Sequence, residues 1–550
     1  MRARLPTGII RFLLIFAAVI VLHWPALTLP HHWDALNRVH NAHTIAAHGF
    51  SPFLPKGMTF LDAQGRPPLL LQLLALTTLV APFDLIAAHA LWLLLAALAL
   101  YLTDRIGARA WSPAVGLTAA LWLALNPLFF AQNEIIVMET PVTALTLLAG
   151  WCLLAQRPVA YLLAGTLLVL SKEAAQLALP GFVLFAWAAA PPNRRWRDAL
   201  VAAIPFVGFL LWVCACKLRY GWFLDPYMAS FVRPDEGGAL WRGIGLSGVY
   251  FTTLLVQLTF WDGNWAVTLL ALGAVALNGP PPSRRTLSFA AIAAAATYAT
   301  YPALLAAAQH WVSTDAFVTT GALLRDTYQQ LVPLRIVASL VIGLLILAWP
   351  ALLRLPLRDP RGCLCLGIVA GYVGFFTLIK FRMIRYLLPT YPFLLLLGAA
   401  ALHATRLNVR RYAWSAALAA TAIFVAQFSG ARTGPGNILE TNLEFRDMVA
   451  VRHAAAAYLE GLPASTRVLA AWPETMELRY PYEGYVTRPL TISEDPRGRA
   501  DLVYVSPQSR DPDLSAAFRR THPTAALVLL FRAQRNGKLV EIYRIAQPGE

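Results

Sequence analysis

Asp34 stands in LPHHWDALNRVHNAHTIAAHGF, at the start of a stretch to His48 that reads as a helix stopped by Gly49. Its carboxylate can cap that helix or act as a general base. Arg66 lies in DAQGRPPLLLQLLAL, where two prolines fix the chain as it re-enters apolar sequence. Its guanidinium can snorkel to an interface or hold a phosphate with a bidentate fork. Glu134 and Glu139 share a short turn between two apolar runs, as interfacial acids or as chemistry. Lys172 and Glu173 interrupt LLVLSKEAAQLALP, either as a structural ion pair or as the lining of a polar cavity. KFRMIRYLLPTYP gathers Lys380, Arg382, Arg385 and Tyr386, a cation cluster suited to lipid head groups. Charge near membrane depth is expensive, which makes each place a functional candidate. Histidines concentrate early, and His40 and His43 share a helical face that could take a metal.

These side chains need a scaffold, and composition says which kind. Of 550 residues, 58% are apolar and 13% charged, against about 45–50% and about 25% in soluble domains. This excludes a disordered chain and an ordinary cytosolic enzyme. The net charge of +16 comes mostly from short Lys/Arg runs between apolar segments, which reads as topology. No DNA- or RNA-binding motif is present, and nucleic acid is not an expected partner. Cys152, Cys214, Cys216, Cys363 and Cys365 all lie in apolar stretches and read as packing. Residues 9–22 resemble a signal peptide but lack a small-residue cleavage site, so a retained first helix is expected.

Hydropathy predicts about thirteen spans. They fall at 9–27, 84–103, 113–130, 141–156, 158–171, 174–190, 199–216, within 245–278, and at 286–305, 335–353, 363–379, 387–403 and 412–429. Residues 68–82 are apolar but too short to commit to a crossing. With the N-terminus inside, Arg105, Arg109, Arg157, Arg194, Arg195, Arg197, Arg284 and Arg285 all fall on the inner face. The outer face then holds the loop 28–67, the turn near 131–140, the stretches 217–244 and 306–334, and the tail. Two domains are expected: a multi-pass domain at 1–430 and an extracytoplasmic α/β domain at 431–550. The tail opens with an amphipathic stretch, LEFRDMVAVRHAAAAYLEGL. The β-like runs RVLAAW, DLVYVSP, AALVLLF and KLVEIYRI follow. The fold class is mainly α, a polytopic transmembrane helical bundle with that domain appended.

Taken together, these places form an order. An acid follows the first helix, a basic-Pro-Pro-Leu motif closes the first loop, and a second acid follows NPLFF. LSKEAA and RYLLPTYP come next, and then the tail. This resembles the C-type glycosyltransferase superfamily of integral membrane enzymes. The branch most similar holds the protein O-mannosyltransferases and the lipid A aminoarabinose transferases. The resemblance covers residues 9 to about 400 by order and spacing. It implies that Asp34 matches the catalytic aspartate of the first outer loop, and that Glu139 stands where the branch usually has an aspartate. Arg66 replaces the usual Lys or His before Pro-Pro. Lys172 matches the lysine of a Leu-Thr-Lys-Gly-like motif, and Arg385–Tyr386 matches an Arg-Tyr-Leu-Leu-Pro motif. Ala35 and Gly65 depart from it, standing where family members carry carboxylates.

The resemblance implies a polyprenyl-phosphate sugar as donor and a lipid, glycan or protein hydroxyl as acceptor, with membrane lipids around both. Cations hold the phosphate: Arg66 and Arg385, with Lys172 and Tyr386 beside them. Asp34 takes the acceptor proton, Glu139 assists, and one displacement inverts the anomeric carbon. No cofactor is firmly implied; a divalent cation is the one candidate, and no metal ligand set is assigned. The implied location is a bacterial inner membrane, with a cytoplasmic N-terminus and the tail outside. The competing reading is a flippase or transporter of lipid-linked sugars, which predicts inverted repeats and helices broken near the midplane. A third is an assembly subunit whose tail is the working part.

Overall fold

A computed structural model describes residues 7–53, 66–81, 84–223, 263–313, 331–352, 359–378, 384–404, 410–428, 441–507, 509 and 513–546, with scattered positions in 251–259. Everything below concerns these residues. Lys380 and Arg382 lie outside them, as do parts of the expected outer stretches and the first half of the 245–278 span.

The chain is a polytopic helical bundle with a small α/β unit at its C-terminal end. The first elements are α1 (Thr7–Leu22), α2 (Asp34–Ala47), α3 (Leu69–Val80), α4 (Leu85–Ala110), α5 (Pro113–Ala124) and α6 (Pro127–Glu134). Then come α7 (Glu139–Leu154), α8 (Pro158–Val169), α9 (Leu179–Ala189), α10 (Arg195–Ala203) and α11 (Pro205–Tyr220). The bundle continues through α12 (Asn264–Asn278), α13 (Arg284–Ser313), α14 (Leu331–Leu352), α15 (Pro360–Leu378), α16 (Tyr391–His403) and α17 (Arg410–Ala426). Among the described residues, 4 helical stretches are long and apolar enough to cross a membrane: Leu85–Ala110, Arg195–Tyr220, Pro360–Leu378 and Ile384–His403. Shorter apolar helices fill the rest of the bundle.

The expected single span at 113–130 is instead a bent pair, α5 and α6, turned by 60°. Asn126–Pro127 causes the break. The residue before a proline is pushed out of the helical region, and Asn126 sits at ψ 125. Its side chain then accepts from the Phe129 N–H at 3.2 Å, capping the new helix with Pro127 in its first turn. The bend brings Glu134 and Glu139 to neighbouring turns. Elsewhere, helices approach through small residues, as membrane packing favours. A Cβ added at Gly367 of α15 would lie 2.6 Å from the Gly181 Cα of α9, so neither position admits a side chain.

The C-terminal unit holds α18 (Phe445–Glu460), α19 (Glu474–Arg479), α20 (Leu514–Thr521) and five strands. The strands are β1 (Arg467–Leu469), β2 (Thr491–Ser493), β3 (Leu502–Val505), β4 (Ala526–Arg535) and β5 (Lys538–Ala546), in the order β2-β1-β3-β5-β4. The first three pair in parallel, and β5 pairs antiparallel to β3 and β4. Asn536 and Gly537, at φ 45 and 77, make the tight turn between β4 and β5. Both central residues of such a turn need positive φ, which Asn-Gly supplies. The four β-like runs and the amphipathic helix of the tail all form as expected; β2 adds a short strand at one edge.

Candidate active site

α2 begins at Asp34 and ends before Gly49, whose φ of 78 reverses the chain. Trp33 holds the cap position, without a side-chain cap hydrogen bond, and Asp34 is the first helical residue. It reaches out of the helix to Arg385, whose Nη2 donates to Oδ2. Arg38, one turn along α2, places its Nη2 3.8 Å from the same oxygen. Burial pushes the Asp34 carboxyl up, and the Arg385 and Arg38 guanidiniums outweigh it, holding the group below its ordinary value. Asp34 is therefore a carboxylate.

Arg385 lies in a 3-10 turn, Ile384–Thr390, and is 2% exposed. Pro389 within that turn keeps it from winding as an ordinary helix. The Arg385 Nε is 3.7 Å from Glu139 Oε1. Glu139 opens α7 and is 3% exposed. Its Oε1 also accepts from Lys172 Nζ at 2.7 Å. Lys172 sits in the turn after α8, with its Nζ 4.5 Å from the centre of the Tyr386 ring. Beside it, Arg66 Nη1 donates to Glu173 Oε1 at 3.0 Å. Asp34, Arg385, Glu139 and Lys172 thus form one chain of alternating charge, drawn from four separate segments. Buried charges persist only when paired in this way. All six expected site residues, Asp34, Arg66, Glu139, Lys172, Arg385 and Tyr386, stand at this cluster or directly beside it.

Glu134 does other work. Its Oε1 meets His23 Nδ1 at 2.9 Å, and both of its oxygens accept from Arg446 of α18, at 2.8 and 2.5 Å. It clasps the C-terminal unit to the bundle. The histidine face of α2 is likewise a docking face. His40 Nδ1 lies 2.7 Å from the Tyr482 hydroxyl, and the His43 ring stacks on Tyr482 at 4.0 Å. Trp33, at φ 54, meets Trp472 edge to face at 4.8 Å. The His31 N–H donates to the Glu483 carbonyl at 2.9 Å. Among the described residues, no group of three His, Cys, Asp or Glu side chains could hold a metal ion.

Sequence reasoning did not single out Arg38. Its position four residues after Asp34 puts it on the same helical face, a readable signal. It also missed Asn37 and Asn41, which share that face.

No protein-family model and no curated protein sequence matches the chain. Among solved structures, the crystal structure of ArnT from Cupriavidus metallidurans bound to undecaprenyl phosphate is similar, with a TM-score of 0.50 and 13% identity. The match covers 96% of this chain and 97% of that one. The apo structure of the same protein matches to the same extent. The likeness is one of fold, running along nearly the whole of both chains.

Proposed function

We propose that this chain is an integral membrane glycosyltransferase of the C-type superfamily, moving a sugar from a polyprenyl-phosphate donor to an acceptor hydroxyl. The observation that carries the reading is the contact between Asp34 and Arg385, an acid and a cation joined on a fold similar to one that binds undecaprenyl phosphate. The branch is that of the protein O-mannosyltransferases and lipid A aminoarabinose transferases. The acceptor is a protein, lipid or glycan. The site faces the outer side of a bacterial inner membrane, with the N-terminus in the cytoplasm. Residues 1–430 form the membrane domain and residues 431–550 the outer domain.

In this mechanism Asp34 takes the proton from the acceptor hydroxyl as its oxygen attacks the anomeric carbon. The bond from that carbon to the phosphate oxygen breaks, and its electron pair leaves with the phosphate. Arg385, Arg66 and Lys172 hold that phosphate and absorb its growing charge, while Tyr386 packs under the cations. Alone with Arg385, Asp34 is a weak base. A phosphate sharing the guanidinium would raise the basicity of Asp34 at the moment it is needed. Glu139 keeps Arg385 and Lys172 oriented. A single displacement inverts the anomeric carbon.

The test is release of free polyprenyl phosphate from a panel of polyprenyl-phosphate sugars by the detergent-purified chain, with an acceptor-containing membrane extract. Release by wild type and not by Asp34→Asn supports the reading. Equal release by both sinks Asp34 as the base. No release, together with lipid translocation in vesicles, would favour the flippase instead.

A further inference from the structure

Within α2, Asn37 and Asn41 lie three and seven residues after Asp34, and Arg38 four after it. Those spacings place all four on one helical face. Asn37 is 4% exposed and Asn41 is fully buried. The Asn37 Oδ1 and both amide atoms of Asn41 have no hydrogen-bond partner among the described residues. Buried side-chain amides are nearly always satisfied, and each exception asks for an explanation. Two such amides in successive turns, on the face that carries the reactive acid, have a shared one.

We infer that Asn37 and Asn41 are the subsite for the hydroxyl groups of the donor's sugar. The inference rests on the glycosyltransferase reading and deepens it. An amide offers a carbonyl acceptor and two N–H donors, and each sugar hydroxyl is itself donor and acceptor. The side chains are neutral, so they suit a sugar ring and not the phosphate, which the cations at Arg385 and Lys172 already match. The helix rises about 1.5 Å per residue, so the amides stand one and two turns beyond Asp34, as a ring lying along α2 requires.

The test exploits the cost of an unsatisfied amide. Replacing a buried unpaired polar group by an apolar one of similar shape is neutral or stabilising for the protein alone. Asn41→Leu and Asn37→Leu in the full-length chain should therefore keep or raise Tm. Binding is read by thermal shift in detergent with two probes, undecaprenyl phosphate alone and the panel of polyprenyl-phosphate sugars. The wild type should prefer one glycosylated lipid over the bare lipid. Each variant should lose that preference about tenfold or more, with the bare lipid bound as before. Turnover of the preferred donor should fall with it. A wild type without any preference, or variants that retain it at undiminished turnover, would overturn the inference. Weakening of bare and glycosylated lipid alike would overturn it as well. Should one variant fail to fold, the other decides. Asp34→Asn separates the two readings: it should lose turnover yet keep the sugar preference. If it turns over normally, the role of Asp34 fails while the subsite stands.

Discussion

Two buried ionic clusters divide this chain, and they are built to opposite rules. In the bundle, Arg38, Arg66, Lys172 and Arg385 face three acids, Asp34, Glu139 and Glu173. In the C-terminal unit a single cation, Arg452, faces Glu474 and Glu477, each 2.7 Å away, with Glu483, Tyr485, Tyr504 and His32 around them. Burial pushes Glu477 up to about 8 against the pull of Arg452, with Glu474 adding to the rise. Burial raises Glu474 too, and raises Glu483 far above its ordinary value. Asp34 moves the other way, held down by Arg385. An excess of cations keeps acids charged and ready for an anion. An excess of acids around one cation makes the acids give up their charge, which suits a core. The difference sets the proposed site apart from a cluster buried in a core.

The comparison breaks most easily at Asp34. Asp34→Asn should lower turnover by about 10²–10⁴-fold, the share a positioned general base supplies, with Tm lowered by the loss of its ion pair with buried Arg385; polyprenyl phosphate release reads the turnover. Arg385→Gln comes next, at about 10²–10³-fold in turnover, as for removal of one preorganised donor to developing negative charge. Its bare-lipid affinity should fall as well, which separates it from Asp34→Asn.

Arg452→Met should act on the fold instead. It leaves the buried Glu474 and Glu477 carboxyls without the guanidinium's hydrogen bonds, a change that costs about 1–3 kcal/mol. Hydrogen exchange across α18 and β3 would report it, while the membrane helices keep their protection. The pH response should differ in sign between the two clusters. A carboxyl raised on folding contributes stability that is full below the ordinary range near about 4.3. That contribution is lost as pH rises through the folded value, about 8 for Glu477. The C-terminal unit should therefore loosen from mildly acidic pH up to about pH 8. Asp34, lowered on folding, should contribute above the ordinary carboxylate range and lose its contribution as pH falls. Protection in the C-terminal unit, corrected for the intrinsic exchange rate, that stays constant from about pH 5 to about pH 8 would refute the assignment of neutral acids there. The smallest effect belongs to Tyr482→Phe, which removes only the hydroxyl bonded to His40. It should cost about 1 kcal/mol, read as faster exchange in α2.

Much of the site is legible as composition against context. Asp34, Glu139, Lys172 and Arg385 stand out because charge amid apolar sequence needs a reason. Their pairing is not legible, because Asp34 and Arg385 are 351 positions apart and only the packed bundle joins them. The 60° break at Asn126 carried a signal in Asn-Pro that hydropathy alone averages away. Glu134 looked equivalent to Glu139, yet a bend of the chain sends one to the C-terminal unit and the other to the cluster. The tail's helix and four strands follow from periodicity, whereas β2 spans three residues and shows no pattern to read. The spacing of the histidines of α2 allowed a metal without assigning one; their partners include tyrosines more than 400 positions on, which spacing cannot reveal.

The clasp on Glu134 joins segments far apart in the chain. Its three members belong to the end of α1, the end of α6 and the start of α18. A chain emerging from the ribosome delivers them in that sequence. His23 and Glu134 are both synthesised long before Arg446. A bundle with α6 out of place would leave Arg446 without its carboxylate, so the docking of the C-terminal unit depends on the fold of the bundle.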